Sequence, residues 1–147
     1  MANWFVVDNA ILESMRGVNY FANATAGAYK MVLVTGGTLD VTNVTISDFI
    51  NCGTNTEANY TRPTMTGVYL DSNTAGKPMW NAANVNITAA GSLNCNYAAI
   101  AAVWTGTLDG NTNLVCIANL GQQVVADSTN LVFDLSAGVI QFDDPNT

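Results

Sequence analysis

From Ala28 onward the chain is a succession of short apolar runs, each closed by Gly, Asn, Asp or Ser within about ten residues. Runs this short cannot make a bundle of long helices. They can bury their apolar side chains only as strands, in sheets laid face to face or rolled into a closed ring. The expected fold class is therefore all-β: an antiparallel sandwich or barrel, jelly-roll-like, over residues 26–147, preceded by a short helical arm over residues 1–25.

The runs can be placed one by one. Tyr29 to Thr35 is rich in Val and Leu and stops at Gly36-Gly37. Thr45 to Cys52 reads as a helical turn capped by Ser47 or Thr45, with Ile46, Phe49 and Ile50 inward. Thr64, Thr66, Val68 and Leu70 begin a strand that Lys77 to Trp80 can pair with. Val85 and Ile87 alternate with Asn84, Asn86 and Thr88, the period of a strand with one wet face. Asn96 to Trp104 is longer and more apolar, as a central strand is. With Leu114 to Ala118 it predicts a hairpin turning near Asp109-Gly110. Gln123 to Ala126, Asn130 to Leu135 and Val139 to Phe142 complete the series.

The first segment breaks this pattern. Trp4 to Val7 is a short strand candidate. Over Asn9 to Tyr20 the period becomes helical, with Ile11, Leu12, Met15 and Val18 on one face. Asp8 or Asn9 is placed to cap it, and Gly17 shortens it, since glycine costs about 1 kcal/mol inside a helix. Trp4, Phe5, Ile11, Leu12, Met15, Tyr20 and Phe21 form a large apolar load for one end of a small β domain. Either the segment folds over an open end of the barrel, or it packs on a neighbouring subunit or a surface beneath.

Composition narrows the function classes. The chain has no His, four Lys and Arg against eleven Asp and Glu, and only 10% charged residues, where about 25% is usual. A catalytic triad containing His is excluded. The basic residues Arg16, Lys30, Arg62 and Lys77 are scattered, so no patch neutralises phosphate, and neither nucleic acid nor an anionic membrane is an expected partner. The three cysteines, Cys52, Cys95 and Cys116, lack zinc-site spacing and read as free, buried thiols. Asp71-Ser72-Asn73-Thr74 and Asp109-Gly110-Asn111 offer oxygens without the spacing of a calcium loop. No metal or other cofactor is expected. Four N-x-T sequons, at Asn23, Asn43, Asn59 and Asn86, follow from a composition rich in Asn and Thr. No leader or membrane span is read at the N-terminus, so assembly in a cytoplasm is expected.

The order of the β runs resembles a family of small tailed-bacteriophage virion proteins, described as head-decoration or tail-fibre-like. The resemblance spans Tyr29 to Phe142. It is carried by the opening strand Tyr29-Lys30-Met31-Val32-Leu33, the Ile46-Ser47-Asp48 turn, and Glu57 followed by Tyr60-Thr61-Arg62. It continues through Asn81-Ala82-Ala83-Asn84-Val85 and Asn96-Tyr97-Ala98-Ala99-Ile100. It ends with Leu120-Gly121-Gln122, Leu131-Val132-Phe133-Asp134 and Ala137-Gly138-Val139-Ile140. The family's motifs depart here in a less Gly-rich turn before Tyr60, and in Asn and Cys before Tyr97.

The resemblance implies a non-enzymatic virion component. A capsid cement protein of this kind sits on the outer head surface as a homotrimer and bridges subunits of the major capsid protein. On that expectation the interface candidates are Trp4, Phe5, Ile11, Leu12, Met15, Tyr20, Phe21, Arg62 and Trp80. Arg62 is expected to pair with Glu57 or across a subunit boundary. The competing expectation is a tail-associated module that binds a host-surface glycan through an exposed aromatic such as Trp80, while Trp104 packs in the core.

Overall fold

The computed structural model describes residues 3–21, 27–35, 40–50, 59–71, 78–105, 110–135 and 138–141. The fold is all-β with few helices, and every sheet is antiparallel. In chain order the elements are β1 (Asn3–Val6), α1 (Asp8–Met15), β2 (Tyr29–Val34), α2 (Ile46–Ile50), β3 (Tyr69–Asp71) and β4 (Met79–Asn81). Then follow β5 (Val85–Thr88), β6 (Leu93–Ala102), β7 (Asn113–Val125), β8 (Asn130–Phe133) and β9 (Ile140–Gln141).

The main sheet has four strands in the order β1-β7-β6-β2. The others are a three-stranded sheet, β3-β4-β9, and the pair β5-β8. No barrel closes, and the sheets meet in the manner of a sandwich. Trp4 of β1 meets Phe133 of β8 at 6.5 Å between ring centroids, and Tyr29 of β2 meets Trp80 of β4 at 5.1 Å.

The central hairpin is the expected one. β6 and β7 are joined through a 3₁₀ turn at Val103–Thr105, and Ala98 pairs with Ala118. Both strands are buried on both faces around their midpoints, which is why they read as continuous apolar runs and not as alternation. The strand expected over Gln123 to Ala126 is instead the continuation of β7. The ladder slips there: Tyr97 pairs with Asn119 and Cys95 with Gln123, so Asn96 alone opposes Leu120 to Gln122. Gly121 takes the left-handed conformation this bulge needs, at φ 64°. Asp109 lies outside the described residues.

Three other expectations change. The strand predicted from Thr64 begins only at Tyr69, because the chain before it runs along the edge of β2. Of the two expected caps of α2, Ser47 lies inside the helix, while Thr45 stands directly before it with its hydroxyl donating to the Asp48 side chain at 3.3 Å in place of a helix N–H contact. Asp48 instead reaches back, and its Oδ2 accepts from the Val44 and Thr45 N–H groups at 2.8 and 2.7 Å. The side chains of Phe49 and Ile50 lie outside the described residues, as does Cys52.

The N-terminal helix is the third. Val7 occupies its N-cap with no side-chain cap, and Asp8 is already in the first turn. It ends at Met15, short of Tyr20. Gly17, at φ 96°, closes it: Val18 N–H donates to the Glu13 carbonyl at 2.9 Å and Gly17 N–H to the Ser14 carbonyl at 3.1 Å. β1 pairs with β7 along its whole length, so the first residues are a strand of the main sheet, with no break from the β domain in this pairing.

Candidate functional site

The nine interface candidates divide sharply. Tyr20, Phe21 and Trp80 are buried within the single chain and present no surface to another molecule. Trp80 is wholly buried, at 0% exposure, because β4 lies between β3 and β9. The glycan-binding expectation drawn on Trp80 is thereby corrected. Its backbone carbonyl accepts from Val139 N–H at 2.8 Å, while its indole N–H has no hydrogen-bond partner. Trp4 and Arg62 are half-buried, Trp4 being packed against the core.

The buried group forms one aromatic chain. Phe21 meets Trp80 edge-on at 5.6 Å, Tyr29 meets Trp80 at 5.1 Å and Trp104 at 4.9 Å, and Tyr20 meets Trp104 at 5.8 Å. Such ring pairs add about 0.5–1.5 kcal/mol each beyond burial. Polar ends are satisfied in the same cluster. The Tyr29 hydroxyl donates to the Tyr20 carbonyl at 2.8 Å, and the Tyr20 hydroxyl accepts from the Asn113 side-chain amide at 2.8 Å. Burial, with Cys116 nearby, holds the Tyr29 hydroxyl far above its ordinary value. Tyr20 and Phe21 thus clamp the segment after α1 to the core.

Trp104, expected in the core, is 46% exposed. β6 ends at Ala102, and the 3₁₀ turn swings the indole to the rim of the aromatic chain.

The remaining candidates make the surface. Phe5, Ile11, Leu12 and Met15 are all exposed, Met15 at 83%, and Val18 joins them. The helical spacing of these residues is real, but the stripe faces solvent. Val7 and Ala10 sit on the buried side instead. The reason lies in β1: its register with β7 fixes where the chain leaves the sheet, and α1 follows within two residues. A helix this short is oriented by its anchor strand more than by its own apolar face. Glu13 and Arg16 pair at 2.7 Å beside the stripe, an exposed contact worth a few tenths of a kcal/mol.

Taking about 150–200 Å² for a large apolar side chain, these five residues together expose on the order of 400 Å² of apolar surface, an area comparable with that of functional patches on monomers. Nothing about the patch is chemical in the catalytic sense. It offers shape and apolar area, and it can bind a complementary apolar surface.

Other titratable groups are tied up locally. Burial pushes the Cys95 thiol up and the Cys116 thiol well up, so both are protonated and poor nucleophiles at neutral pH. Asp40 is held low by hydrogen bonds from the Thr42 hydroxyl and N–H, at 2.7 and 2.9 Å. No cluster of potential metal ligands occurs among the described residues. The Asn59 amide of one sequon donates to the Ser92 carbonyl at 3.0 Å, whereas Asn86 of another is exposed on β5. Asn23, Glu57 and Lys77 lie outside the described residues.

No protein-family model, no curated protein and no solved structure matches this chain.

Proposed function

We propose that this protein is a structural component of a tailed-bacteriophage virion, a decoration protein on the outer head surface that cements neighbouring subunits of the major capsid protein. The observation that carries the reading is the outward apolar stripe of α1, Ile11, Leu12 and Met15, with Phe5 of β1 also exposed. It supplies an attachment surface on a chain with few charges. The order of strands and turns that resembles small virion proteins supplies the kind of particle. The mechanism is mechanical: many weak, neutral contacts repeated over a shell resist internal pressure, and salt weakens them little. A net charge of −7 keeps such a protein from adhering to packaged DNA. The protein would assemble in the host cytoplasm, with homotrimers as the repeating unit.

Cryo-electron microscopy of the intact particle tests this. Density at regular sites over the head, with α1 against the shell, is the expected result. Density at the tail alone would overturn it.

One observation favours a second reading. Trp104 offers an exposed indole beside Tyr20 and Tyr29, the kind of face on which a sugar ring stacks. A tail-associated module that binds a host-surface glycan would use Trp104 where Trp80 was expected. Glycan-array binding that disappears in Trp104→Ala would support it.

A further inference from the structure

Met15 is the most exposed large apolar side chain among the described residues, at 83%. It stands one turn beyond Ile11 and Leu12 on α1, so its thioether lies at the end of the outward stripe. The other described methionines are placed differently. Met31 of β2 and Met65 are buried, and Met79 of β4 is half-buried with its sulfur beside Gly138. The described cysteines, Cys95 and Cys116, are buried, protonated thiols. The fold thus leaves one freely accessible sulfur among the described residues, on the face with which the protein can meet another molecule. The contacts that seat α1 are made elsewhere. Val7 and Ala10 are buried, Asp8 N–H donates to the Val41 carbonyl at 2.9 Å, and Gly17 closes the helix.

We propose that Met15 is a redox-sensitive modification site: a peroxide oxidises it to the sulfoxide, which makes the stripe polar and blocks attachment through it, while the fold stays intact. The Met15 sulfur lone pair attacks one oxygen of hydrogen peroxide. An S–O bond forms and the O–O bond breaks. The proton on the transferred oxygen passes to the departing hydroxide, which leaves as water. Sulfur loses two electrons and the peroxide gains them. A thiol-dependent sulfoxide reductase reverses the change: two thiols become a disulfide, and the oxygen leaves as water.

The sulfoxide oxygen is a strong acceptor that water solvates. Covering it in an apolar contact removes that water and supplies no donor, so the contact is weakened. Ile11 and Leu12 lie within one turn of it and share the loss. The modification does not depend on the virion reading, whereas its effect on attachment rests on it. A stripe already seated on a shell shields the sulfur, so the site responds in the free protein, before assembly.

Hydrogen peroxide at graded doses is the probe, and peptide mass spectrometry reads which sulfur gains oxygen. Burial should make Met15 oxidise faster than Met31, Met65 or Met79 by about tenfold or more, with the thermal melt unchanged. Co-sedimentation with particles lacking this protein should then show binding weakened by about tenfold or more, and restored by the reductase. Met15→Leu is compared only with itself, and its binding should be the same before and after peroxide. Protein already on the particle should keep Met15 reduced at a dose that oxidises the free protein. Oxidation falling first on Met31, Met65 or Met79 would overturn the site. A treated Met15→Leu that loses binding as wild type does would place the effect at another residue and overturn the switch. Met15→Lys separates the switch from the attachment reading. If it fails to bind while the sulfoxide binds, the switch falls and the stripe stands. If both bind, both fall.

Discussion

The two edges of the main sheet are covered unequally. At β2 the edge is sealed from within the chain. Met31 N–H donates to the Pro63 carbonyl at 3.0 Å, Met65 N–H donates to the Tyr29 carbonyl at 2.9 Å, and the buried Tyr60 hydroxyl accepts from Leu33 N–H at 2.9 Å. Every second residue of β2 is thus met by residues 60–65. At β1 the cover is thinner: Asp8 N–H, just beyond the strand, donates to the Val41 carbonyl at 2.9 Å, the outward backbone groups of Trp4 and Val6 bond to no described residue, and Phe5 and the α1 stripe are apolar and exposed. A fold that can cover one edge so fully shows that cover is available to this architecture. The less covered edge and the exposed stripe follow one another in one short stretch of chain, as expected of a surface kept for assembly.

Unsealing the β2 edge should produce the largest effect. Tyr60→Ala removes a buried ring and both hydrogen bonds between its hydroxyl and the Leu33 backbone, and is expected to destabilise the fold by about 3–5 kcal/mol. Urea denaturation measures it. Truncating Phe5 at the other edge should change the same midpoint little, because that ring is already 43% exposed. Equal losses at the two sites would erase the distinction between the sealed and the less covered edge.

Tyr60→Phe sharpens the point by keeping the ring. It leaves Leu33 N–H buried without its acceptor, a cost of about 1–3 kcal/mol. A loss near zero would mean that the seal depends on packing alone.

High pH probes the wall one strand in from the less covered edge. Cys116, on β7, pairs with Val6 and is fully buried as a neutral thiol, its folded value raised well above the ordinary 9.0. Its stabilisation is complete below pH 9. Above that the unfolded chain releases the proton and the folded chain does not, so stability falls as pH rises, by about 1.4 kcal/mol per unit for this group. Above pH 10 the Tyr29 hydroxyl, raised by burial, adds to the slope in the same sense. Thermal melts between pH 8 and 11 should show the decline steepening. Stability independent of pH over that range would mean that β1 opens and wets Cys116 in the folded state.

Much of this contrast was legible in the sequence, but not its orientation. β5 was readable because one face is wet, so Val85 and Ile87 alternate with polar residues. β2 and the β6–β7 hairpin were readable as apolar runs bounded by turns, because both faces are buried. Residues 60–65 were not readable as an edge cover. Their bonds go from main chain to a strand some thirty positions earlier, and main-chain bonding leaves no residue pattern. The two tryptophans exchanged places for a similar reason. Trp104 follows an apolar run, yet the strand stops two residues before it, while Trp80 sits on a three-residue strand that becomes central only through pairing with distant β9. The period of α1 was visible, but its outward face was set by the register of β1, which helical spacing does not encode.

The smallest expected effect on stability carries the most weight for function. Met15 is 83% exposed on the last turn of α1, where Lys is as good a helix former and a cation favours the helix C-terminus. Met15→Lys should therefore leave stability within about 0.5 kcal/mol of wild type. If the stripe is where the protein meets a shell, the same change places a charge in an apolar contact, and Leu12→Asp does so more severely. Both variants should fail to bind particles that lack this protein, as read by co-sedimentation, with Met15→Lys melting as wild type does. Particle binding unchanged by Met15→Lys and Leu12→Asp would remove the stripe from the interface. It would leave Phe5 and Val18 as the exposed apolar side chains of this stretch, and particle attachment would then have to pass through them.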